Sequence, residues 1–581
     1  MRGDPYNGGM KFLPAVIVFV GSFFAFAFLF LAAPVIPDAD SYYHLAVARE
    51  YAGGGYMEAL PWTRFSALGE TFGDKELLFH VLLVPFTRWT DAATGGRLAL
   101  ALLNAAFAAV VTALSTRALG WWSTAVPVWL YLAAPMLTFR VIRLRPELLA
   151  VILLLVLIHV ASHRRYVLLA ALAAIFAMSY TAFHAVIGLS VLWFLLVVDG
   201  KRDWKLPAAA VLGTAAGLVL HPGFPDNLRI WWLQNVLFFL EKSRLDVGGE
   251  IRPGTIGFLF VANLGWWCGI ALLSFFARRS SVPRFLAVAA IVFGGLTLLM
   301  QRMAVHFVPL LALTLIAALR PNAPRGRIAI ALLGTSILSL PATLGIYRDL
   351  IGTDPTWERD YAAFGRAVPQ GAKIAAHWGP AEFYSFFAPQ GRYLNVLDPI
   401  FMAVPYPHHY AAQKRVFDGT EPDVPRVVKE SLDSDYIAVT GTGPLDERLR
   451  HDPRVVPLYT GYTFLGRIVP ENAGAFERDW NEWPFAEAFI DARRVSRQPC
   501  VRFTRQETVD APTRRIYELT AWGRAELRID DRVHLQLARS TRAILGRGAL
   551  VPVELRPGRH LLAVTTCADD GGRNGFYLLR R

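Results

Sequence analysis

Long apolar runs dominate the first part of the chain and stop near residue 346. A membrane-spanning α-helix needs about 20 apolar residues, so each run predicts one transmembrane helix. The pattern predicts a polytopic α-helical membrane protein with about eleven transmembrane helices, at residues 12–33, 97–116, 121–138, 147–162, 166–179, 182–198, 206–221, 255–276, 285–300, 303–319 and 328–346.

The remainder of the chain has the mixture of apolar and polar positions of a water-soluble protein, and it falls into two parts. Residues 347–490 combine helical and strand signals, with a buried strand at 436–440, and predict an α/β domain. Residues 491–581 alternate apolar and polar positions in short runs, as at 525–530, and predict a β-sandwich. The sandwich looks like carbohydrate-binding modules, and a purely structural appendage is the alternative.

The chain carries a formal net charge of +13 and a mean hydropathy of +0.36. Its basic residues lie in short connectors between apolar runs, which is typical of cytoplasmic loops and argues against nucleic-acid binding. All basic connectors fall on the cytoplasmic side if segment 76–90 lies on the membrane surface or re-enters it. This topology puts loop 34–96, loop 222–254 and the C-terminal region outside, and favours a multi-pass bacterial inner-membrane protein.

Two carboxylates and an imidazole directly follow the first apolar run, as Asp38, Asp40 and His44. Unpaired charge is costly at a membrane boundary, and such groups bind divalent cations or act in acid–base catalysis. The alternative is a solvated loop in which Asp40 or Ser41 caps a helix that begins at Tyr42.

More charged residues lie at predicted outer boundaries. Asp74 and Glu76 precede the segment 76–90, where a helix N-terminus is the plainer interpretation. Arginines at an outer boundary oppose the usual charge bias, and an anionic phosphate would explain them. These arginines are Arg143 and Arg145, which precede Glu147, and Arg302, which lies one turn before His306. A further acid, Glu250, lies in a glycine-rich loop on the same predicted face.

The segment Asp38-Ala39-Asp40-Ser41-Tyr42-Tyr43-His44-Leu45 resembles the first acidic motif of bacterial and archaeal oligosaccharyltransferase catalytic subunits, which are members of the GT-C glycosyltransferase superfamily. The resemblance implies a GT-C fold and a donor sugar linked to polyprenyl phosphate or diphosphate. Arg145-Pro146-Glu147 resembles the second acidic motif without its first acid. Glu250 resembles the mobile-loop glutamate of the family, and Arg302 resembles the arginine that precedes an outer helix.

These matches predict the residues of an inverting glycosyltransferase. The catalytic residues are Asp40, Asp38, Glu147 and Glu250, and a divalent cation (Mg or Mn) would be held by Asp40, Glu147 and Glu250. The substrate-binding residues are Tyr43, His44, Asp74, Glu76, Arg143, Arg145, Arg302, His306 and Trp378.

The acceptor is where this chain departs from the resemblance. Oligosaccharyltransferases carry a Trp-Trp-Asp-Tyr-Gly motif, whereas the nearest stretch here is His377-Trp378-Gly379-Pro380, without the aspartate. We therefore expect the acceptor to be a lipid-linked glycan or another protein site. A transporter or flippase of lipid-linked glycans and a non-catalytic glycan-binding membrane protein are the alternatives. The nearly charge-free spans argue against transport.

Three cysteines occur in the chain. Cys268 lies in an apolar run and is expected to be a buried small residue. Cys500 and Cys567 lie in the soluble part, where an oxidising compartment would allow them to pair. The sequence leaves this disulfide open.

Overall fold

The computed structural model describes residues 12–580 except 37, 198–199, 201, 247, 442, 453, 470–489, 495–499, 539–547 and 570–571. The chain divides into two compact units. The helical unit comprises Met1–Leu60, Ala67–Pro355 and Pro399–Phe401, and the second unit comprises Pro61–Ser66, Thr356–Asp398 and Met402–Arg581.

Helices make up the first unit, and a helix lies at every predicted apolar run. They are α1 (Leu13–Ala32), α2 (Ala39–Gly54), α3 (Ala67–Glu70), α4 (Leu77–Trp89), α5 (Ala92–Leu119), α6 (Ala125–Ala133), α7 (Pro135–Val141), α8 (Pro146–Ser162), α9 (Tyr166–Ser179), α10 (His184–Leu195), α11 (Lys205–Val219), α12 (Asp226–Trp232), α13 (Phe238–Glu241), α14 (Leu264–Phe276), α15 (Arg284–Leu299), α16 (Ala304–Ala317), α17 (Arg325–Thr335) and α18 (Leu340–Gly352).

Two continuous helical stretches among the described residues are long and apolar enough to cross a membrane, α1 and Ala92–Ala133. A third span results if the pair Arg325–Leu338 and Leu340–Gly352, bent by 68°, is counted as one. The other apolar helices are shorter than 18 residues, so the number of about eleven spans stays a prediction. Helix α18 also extends past the boundary predicted at residue 346.

Local sequence explains several helix starts and close approaches in this unit. The carboxylate of Asp91 accepts a hydrogen bond from the Thr94 amide at 2.9 Å and caps α5. Pro146 occupies the first turn of α8, where its missing N–H costs nothing. A Cβ at Gly213 would lie 2.1 Å from the Ala170 carbonyl oxygen, so only glycine permits the observed contact between α11 and α9.

The second unit contains a five-stranded mixed sheet with strand order β2-β1-β3-β5-β4. Strands β2, β1 and β3 are parallel, while β5 pairs antiparallel with β3 and β4. Helices accompany the sheet, as the α/β pattern predicted. The elements are α19 (Thr356–Ala367), β1 (Lys373–Ala375), α20 (Trp378–Phe387), β2 (Arg392–Tyr393), α21 (Ile400–Ala403, which straddles both units), α22 (Pro407–Phe417), α23 (Val424–Arg426), β3 (Tyr436–Thr440), α24 (Pro444–His451), β4 (Val455–Thr460) and β5 (Thr463–Ile468).

Two four-stranded antiparallel sheets follow, with strand orders β10-β9-β12-β7 and β11-β8-β13-β6. Alternate residues of both sheets, such as Leu527 and Tyr517, form a common core, as the sandwich prediction required. Cys500 and Cys567 are register partners on neighbouring strands and form a disulfide. The strands are β6 (Ile490–Asp491), β7 (Cys500–Val509), β8 (Thr513–Trp522), β9 (Arg524–Ile529), β10 (Arg532–Leu537), β11 (Ala549–Leu555), β12 (Gly558–Cys567) and β13 (Gly575–Arg580).

Candidate active site

Asp38 lies at the N-terminus of α2, but its side chain does not cap the helix. Its two carboxylate oxygens instead accept hydrogen bonds from Nε and Nη2 of Arg145, at 2.9 and 2.5 Å. The Ser41 hydroxyl donates to Asp38 at 2.9 Å and accepts from the Leu144 amide at 3.2 Å. The expected helix cap by Asp40 or Ser41 is therefore wrong, because α2 begins earlier, at Ala39, and these side chains bind the 143–145 turn.

Arg145 is the centre of the charged cluster. Besides Asp38, its Nη1 atom lies 2.8 Å from Asp40 Oδ2 and 3.0 Å from Glu250 Oε2. One guanidinium group thus joins α2, the turn before α8 and the loop that carries Glu250. The fixed fork of donors in arginine suits such simultaneous contacts with several carboxylates.

Glu147 and Glu250 share a second arginine, Arg140, which sequence reasoning did not single out. Nε and Nη2 of Arg140 bind Glu147, with the Nε contact at 3.1 Å, and Nη1 binds Glu250 at 2.6 Å. Arg302 Nη2 reaches the other oxygen of Glu147 at 2.8 Å. The signal was the position of Arg140 in α7, seven residues before Glu147, where a buried arginine requires a carboxylate partner.

Four carboxylates and four arginines therefore form what we call the arginine cluster: Asp38, Asp40, Glu147, Glu250, Arg140, Arg143, Arg145 and Arg302. Its formal charges cancel. Burial raises the pKa of the Asp38 carboxyl, but the charge of Arg145 offsets this and holds the pKa below its usual range. Burial acts likewise on Glu250, and Arg145, Arg140 and Arg302 together hold its pKa well below the usual range.

Exposure divides the arginine cluster into a buried and an accessible half. The side chains of Asp38 and Arg140 are both 4% exposed and that of Glu147 is 5% exposed. The more exposed side chains are those of Asp40 at 33%, Glu250 at 24%, Arg302 at 23% and Arg143 at 18%. A ligand can reach the more exposed side chains, and the buried side chains hold those in position.

Two accessible arginines are only loosely paired on one side. Arg143 lies 3.6 Å from Asp38, and its guanidinium carbon stacks 4.0 Å from the centre of the Phe139 ring. Arg302 Nη2 lies 2.8 Å from Glu147, whereas its contact with Glu250 is 3.9 Å long. These long contacts break at little cost when a competing anion is present.

A second group, which we call the histidine cluster, comprises His44, Asp74, Glu76 and His80. His44 Nδ1 and His80 Nε2 are 2.9 Å apart, and His80 Nδ1 is 2.7 Å from Asp74 Oδ2. Tyr51 donates to the same Asp74 oxygen at 2.6 Å. All four cluster residues are buried, and the ring of Tyr43 lies at 5.2 Å from that of His44.

Asp74 accounts for the orientation of His80. A carboxylate that accepts from Nδ1 fixes the tautomer in which Nε2 is free to accept or bind a cation. The His221 Nε2 atom hydrogen-bonds to the Asp74 carbonyl oxygen at 2.7 Å, which holds this part of the chain. The sequence alone indicates no partner for His80 or His221, because those partners become visible only in the fold.

The two clusters differ in how well they fit a divalent cation. Ligand atoms of His44, Glu76 and His80 all lie within 4.8 Å of one another, and in the described part of the chain no other such group of three occurs. Two imidazoles and a carboxylate suit zinc or a related transition metal more than magnesium. The metal assignment to Asp40, Glu147 and Glu250 stays a prediction, and each of these carboxylates faces a guanidinium group in the structure.

Two predicted substrate-binding residues, His306 and Trp378, form no ion pair with a described residue. His306 in α16 is buried and its ring stacks on Phe293, with ring centres 4.7 Å apart. Trp378 opens α20 in the second unit, and its buried Nε1 atom makes no hydrogen bond to a described residue. The roles assigned to both residues stay predictions.

Two solved structures are similar to this chain. The crystal structure of ArnT from Cupriavidus metallidurans bound to undecaprenyl phosphate matches with a TM-score of 0.52 and 15% identity, covering 79% of this chain and 99% of that one. The apo structure of the same protein matches with a TM-score of 0.51 and 16% identity, covering 78% and 97%. No protein-family model and no curated protein matches the sequence. At this identity the likeness establishes a shared fold.

Proposed function

We propose that this chain is an inverting membrane glycosyltransferase that takes its sugar or oligosaccharide from a polyprenyl-phosphate or polyprenyl-diphosphate donor. The observation that carries the proposal is the arginine cluster, which gathers four carboxylates and four arginines from distant parts of the helical unit. The ArnT structure of the same fold is described as bound to undecaprenyl phosphate. A donor of this kind has an apolar chain and an anionic head, and the helical unit offers surfaces for both.

Arg143 and Arg302 are the residues we assign to the donor phosphate. Both are accessible, and both have one long contact that an incoming phosphate oxygen can replace. Arginine binds phosphate through two parallel N–H groups, so a phosphate would replace each long contact, which is not a hydrogen bond, with charge-assisted hydrogen bonds. Arg140 and Arg145 stay with Glu147 and Asp38 and keep the site in place.

Asp40 is the residue we assign as general base. It is the most exposed carboxylate of the arginine cluster and therefore the one that an acceptor group can approach. In the transfer, the acceptor oxygen forms a bond to the anomeric carbon and gives its proton to Asp40. The bond from that carbon to the phosphate oxygen breaks with its electron pair, and Arg143 and Arg302 stabilise the phosphate charge that results.

Asp38 and Glu147 then act as positioning residues, because both are buried behind arginines. This refines the prediction that groups all four acids as catalytic. A divalent cation, if one is used, fits His44, Glu76 and His80 better than it fits carboxylates already paired with arginine. Bound there, it would supply additional positive charge near α2, and no step above depends on it.

The acceptor in this proposal is a lipid-linked glycan or a protein on the extracytoplasmic face. The choice of face follows from the basic connectors. These favour the cytoplasmic side for themselves and therefore the extracytoplasmic side for every loop of the arginine cluster. An oligosaccharyltransferase-type sequon acceptor is less favoured, since the stretch around Trp378 lacks the aspartate of the family motif.

The proposal is tested by comparing lipids and glycans in cells that contain or lack the gene, using mass spectrometry. We expect the deletion strain to accumulate one polyprenyl-linked sugar and to lose one glycan mass. The wild-type gene should restore both, and Asp40→Asn should restore neither although the protein is present in membranes. Restoration by Asp40→Asn would rule out the assignment of the base.

A detergent-solubilised sample distinguishes an enzyme from a transporter of the same lipids. Purified protein mixed with a detergent extract of the deletion strain's membranes, which supplies both donor and acceptor, should release free polyprenyl phosphate or diphosphate, because the transfer needs no intact membrane. A flippase would leave the lipid masses unchanged in detergent, and that result would identify the protein as a transporter and contradict the proposed enzyme.

A further inference from the structure

The terminal β-sandwich has a cleft of about 800 Å³. Strands β10 and β11 are edge strands of the two sheets, and the cleft lies where they meet the starts of β8 and β12. Its volume falls within the range of pockets that hold small ligands, roughly 300–1,000 Å³. This cleft belongs to a different unit from the arginine cluster and takes no part in the proposed transfer.

Three arginines line this cleft, Arg514, Arg532 and Arg556. All three are exposed, and none forms an ion pair with a residue in the described part of the chain. Other arginines of the sandwich are paired, such as Arg515 with Glu507 and Arg528 with Glu526. The guanidinium groups at the cleft therefore keep their hydrogen-bond donors available to a ligand.

Acidic residues of the cleft offset only part of this charge. Asp530 is already bound, since it accepts from His560 Nδ1 at 2.6 Å and from the Leu561 amide at 2.9 Å. His560 Nε2 also faces an acceptor, the Arg556 carbonyl oxygen at 2.7 Å. Both ring nitrogens must then donate, which makes the ring an imidazolium that balances Asp530. Glu554 is the other acid that lines the cleft.

The lining also indicates what the cleft does not bind. No phenylalanine, tyrosine or tryptophan is among its described lining residues. A neutral sugar is normally bound by stacking on the face of such an aromatic ring, and the described lining residues provide no such ring. The guanidinium forks suit a planar carboxylate or a phosphate instead.

We propose that this cleft binds an acidic saccharide, a glycan that carries carboxylate or phosphate groups. Arg514, Arg532 and Arg556 bind the anionic groups, and Glu554 weakens the binding by repulsion. The sandwich would thereby hold an anionic glycan independently of whether the helical unit transfers a sugar.

Binding of an oligogalacturonate to the full-length purified protein tests this proposal, with a neutral maltooligosaccharide of equal length as the comparison. We expect the oligogalacturonate alone to bind, with an affinity that falls as salt is added. Arg514→Ala, Arg532→Ala and Arg556→Ala should each weaken binding about tenfold or more, because each removes charge-assisted hydrogen bonds. Glu554→Gln should strengthen it.

Arg524→Ala is the matched control, since Arg524 is an exposed arginine at the far end of β9. It should leave the affinity unchanged. Equal binding of the neutral sugar, or equal losses in the Arg524 variant, would overturn the proposal. Vesicles with anionic phospholipids form the last arm: arginine-dependent binding to vesicles without binding to oligogalacturonate would assign the cleft to a membrane surface instead. None of these outcomes depends on transferase activity.

Discussion

The arginine cluster and the histidine cluster both use α2, yet they solve different physical problems. Asp40 and His44 lie one helical turn apart. Asp40 joins a set in which every carboxylate faces a guanidinium group. His44 joins a set in which two imidazoles face each other and one of them, His80, also faces a carboxylate. The first set is balanced in charge and partly accessible, and the second is fully buried.

This difference separates anion binding from cation binding. Arginine pairs can exchange one carboxylate oxygen for a phosphate oxygen, so the arginine cluster is suited to an anionic lipid head. Two adjacent imidazoles beside a glutamate are suited to a soft cation, and Asp74 fixes the orientation of the His80 ring.

Replacement of Arg145 should have the largest effect. Arg145→Gln leaves Asp38, Asp40 and Glu250 without their shared partner, and breaking a buried pair from one side costs about 3–5 kcal/mol. We expect loss of transfer and a clear fall in the melting temperature of the purified protein. Arg164→Gln, which breaks the more exposed pair with Asp203, is the control and should keep activity. Unchanged stability of the Arg145 variant would contradict the central role of that residue.

The double variant Arg145→Gln with Asp38→Asn sharpens the same comparison. Removing the negative charge along with its partner should recover part of the lost stability, because no uncompensated carboxylate then remains at Asp38. Thermal unfolding of the single and double variants measures the coupling. Strictly additive losses would show that the two side chains do not act as a pair.

Disruption of the histidine cluster should have a smaller, metal-specific effect. Asp74→Asn removes the carboxylate behind His80 and should weaken zinc binding about 10- to 100-fold, as measured by titration of the purified protein. His80→Gln should abolish that zinc site. His159→Gln is the control, since His159 lies in the last turn of α8 and is not part of the histidine cluster. Equal zinc affinity in all three variants would contradict a site at His44, Glu76 and His80.

Acid stability should show the smallest effect. The folded-state pKa values of Asp38 and Glu250 are depressed, so their stabilising contribution is present above the unfolded pKa, about 4, and is lost as the pH falls through the folded values. Arg302→Gln removes one charge that lowers the pKa of Glu250, and its acid unfolding should begin at a higher pH than that of the wild type. Melting temperatures between pH 3 and 7 test this, and identical acid profiles would contradict it.

Much of the helical unit could be predicted because apolar runs fix where helices form. The residues Asp38, Asp40, Glu147, Glu250 and Arg302 also come together as the loop analysis expected. Arg140 was not singled out, although it lies at the same predicted outer boundary as Arg143 and Arg145, where an arginine opposes the usual charge bias. The Asp74–His80 pair and its contact with His44 depend on how α4 packs against α2, which periodicity does not encode.

The exposure of each carboxylate likewise could not be predicted from the sequence. The family resemblance places Asp40 first among the four acids but does not separate Asp38, Glu147 and Glu250. The fold buries Asp38 and Glu147 and leaves Asp40 and Glu250 accessible. Packing of α2 against the 143–145 turn decides this division. It is also the reason that Asp40, and not Asp38, is the proposed base.

The most direct test of the account is release of polyprenyl phosphate by the Asp40→Asn protein. Purified wild type and variant are given a detergent extract of the deletion strain's membranes, which supplies donor and acceptor, and free polyprenyl phosphate and diphosphate are measured by mass spectrometry. Glu50→Gln, on the same helix, is the control. The account predicts wild-type release by the control and a loss of about 100-fold or more in the Asp40 variant, with unchanged melting temperature. Wild-type release by Asp40→Asn would contradict it.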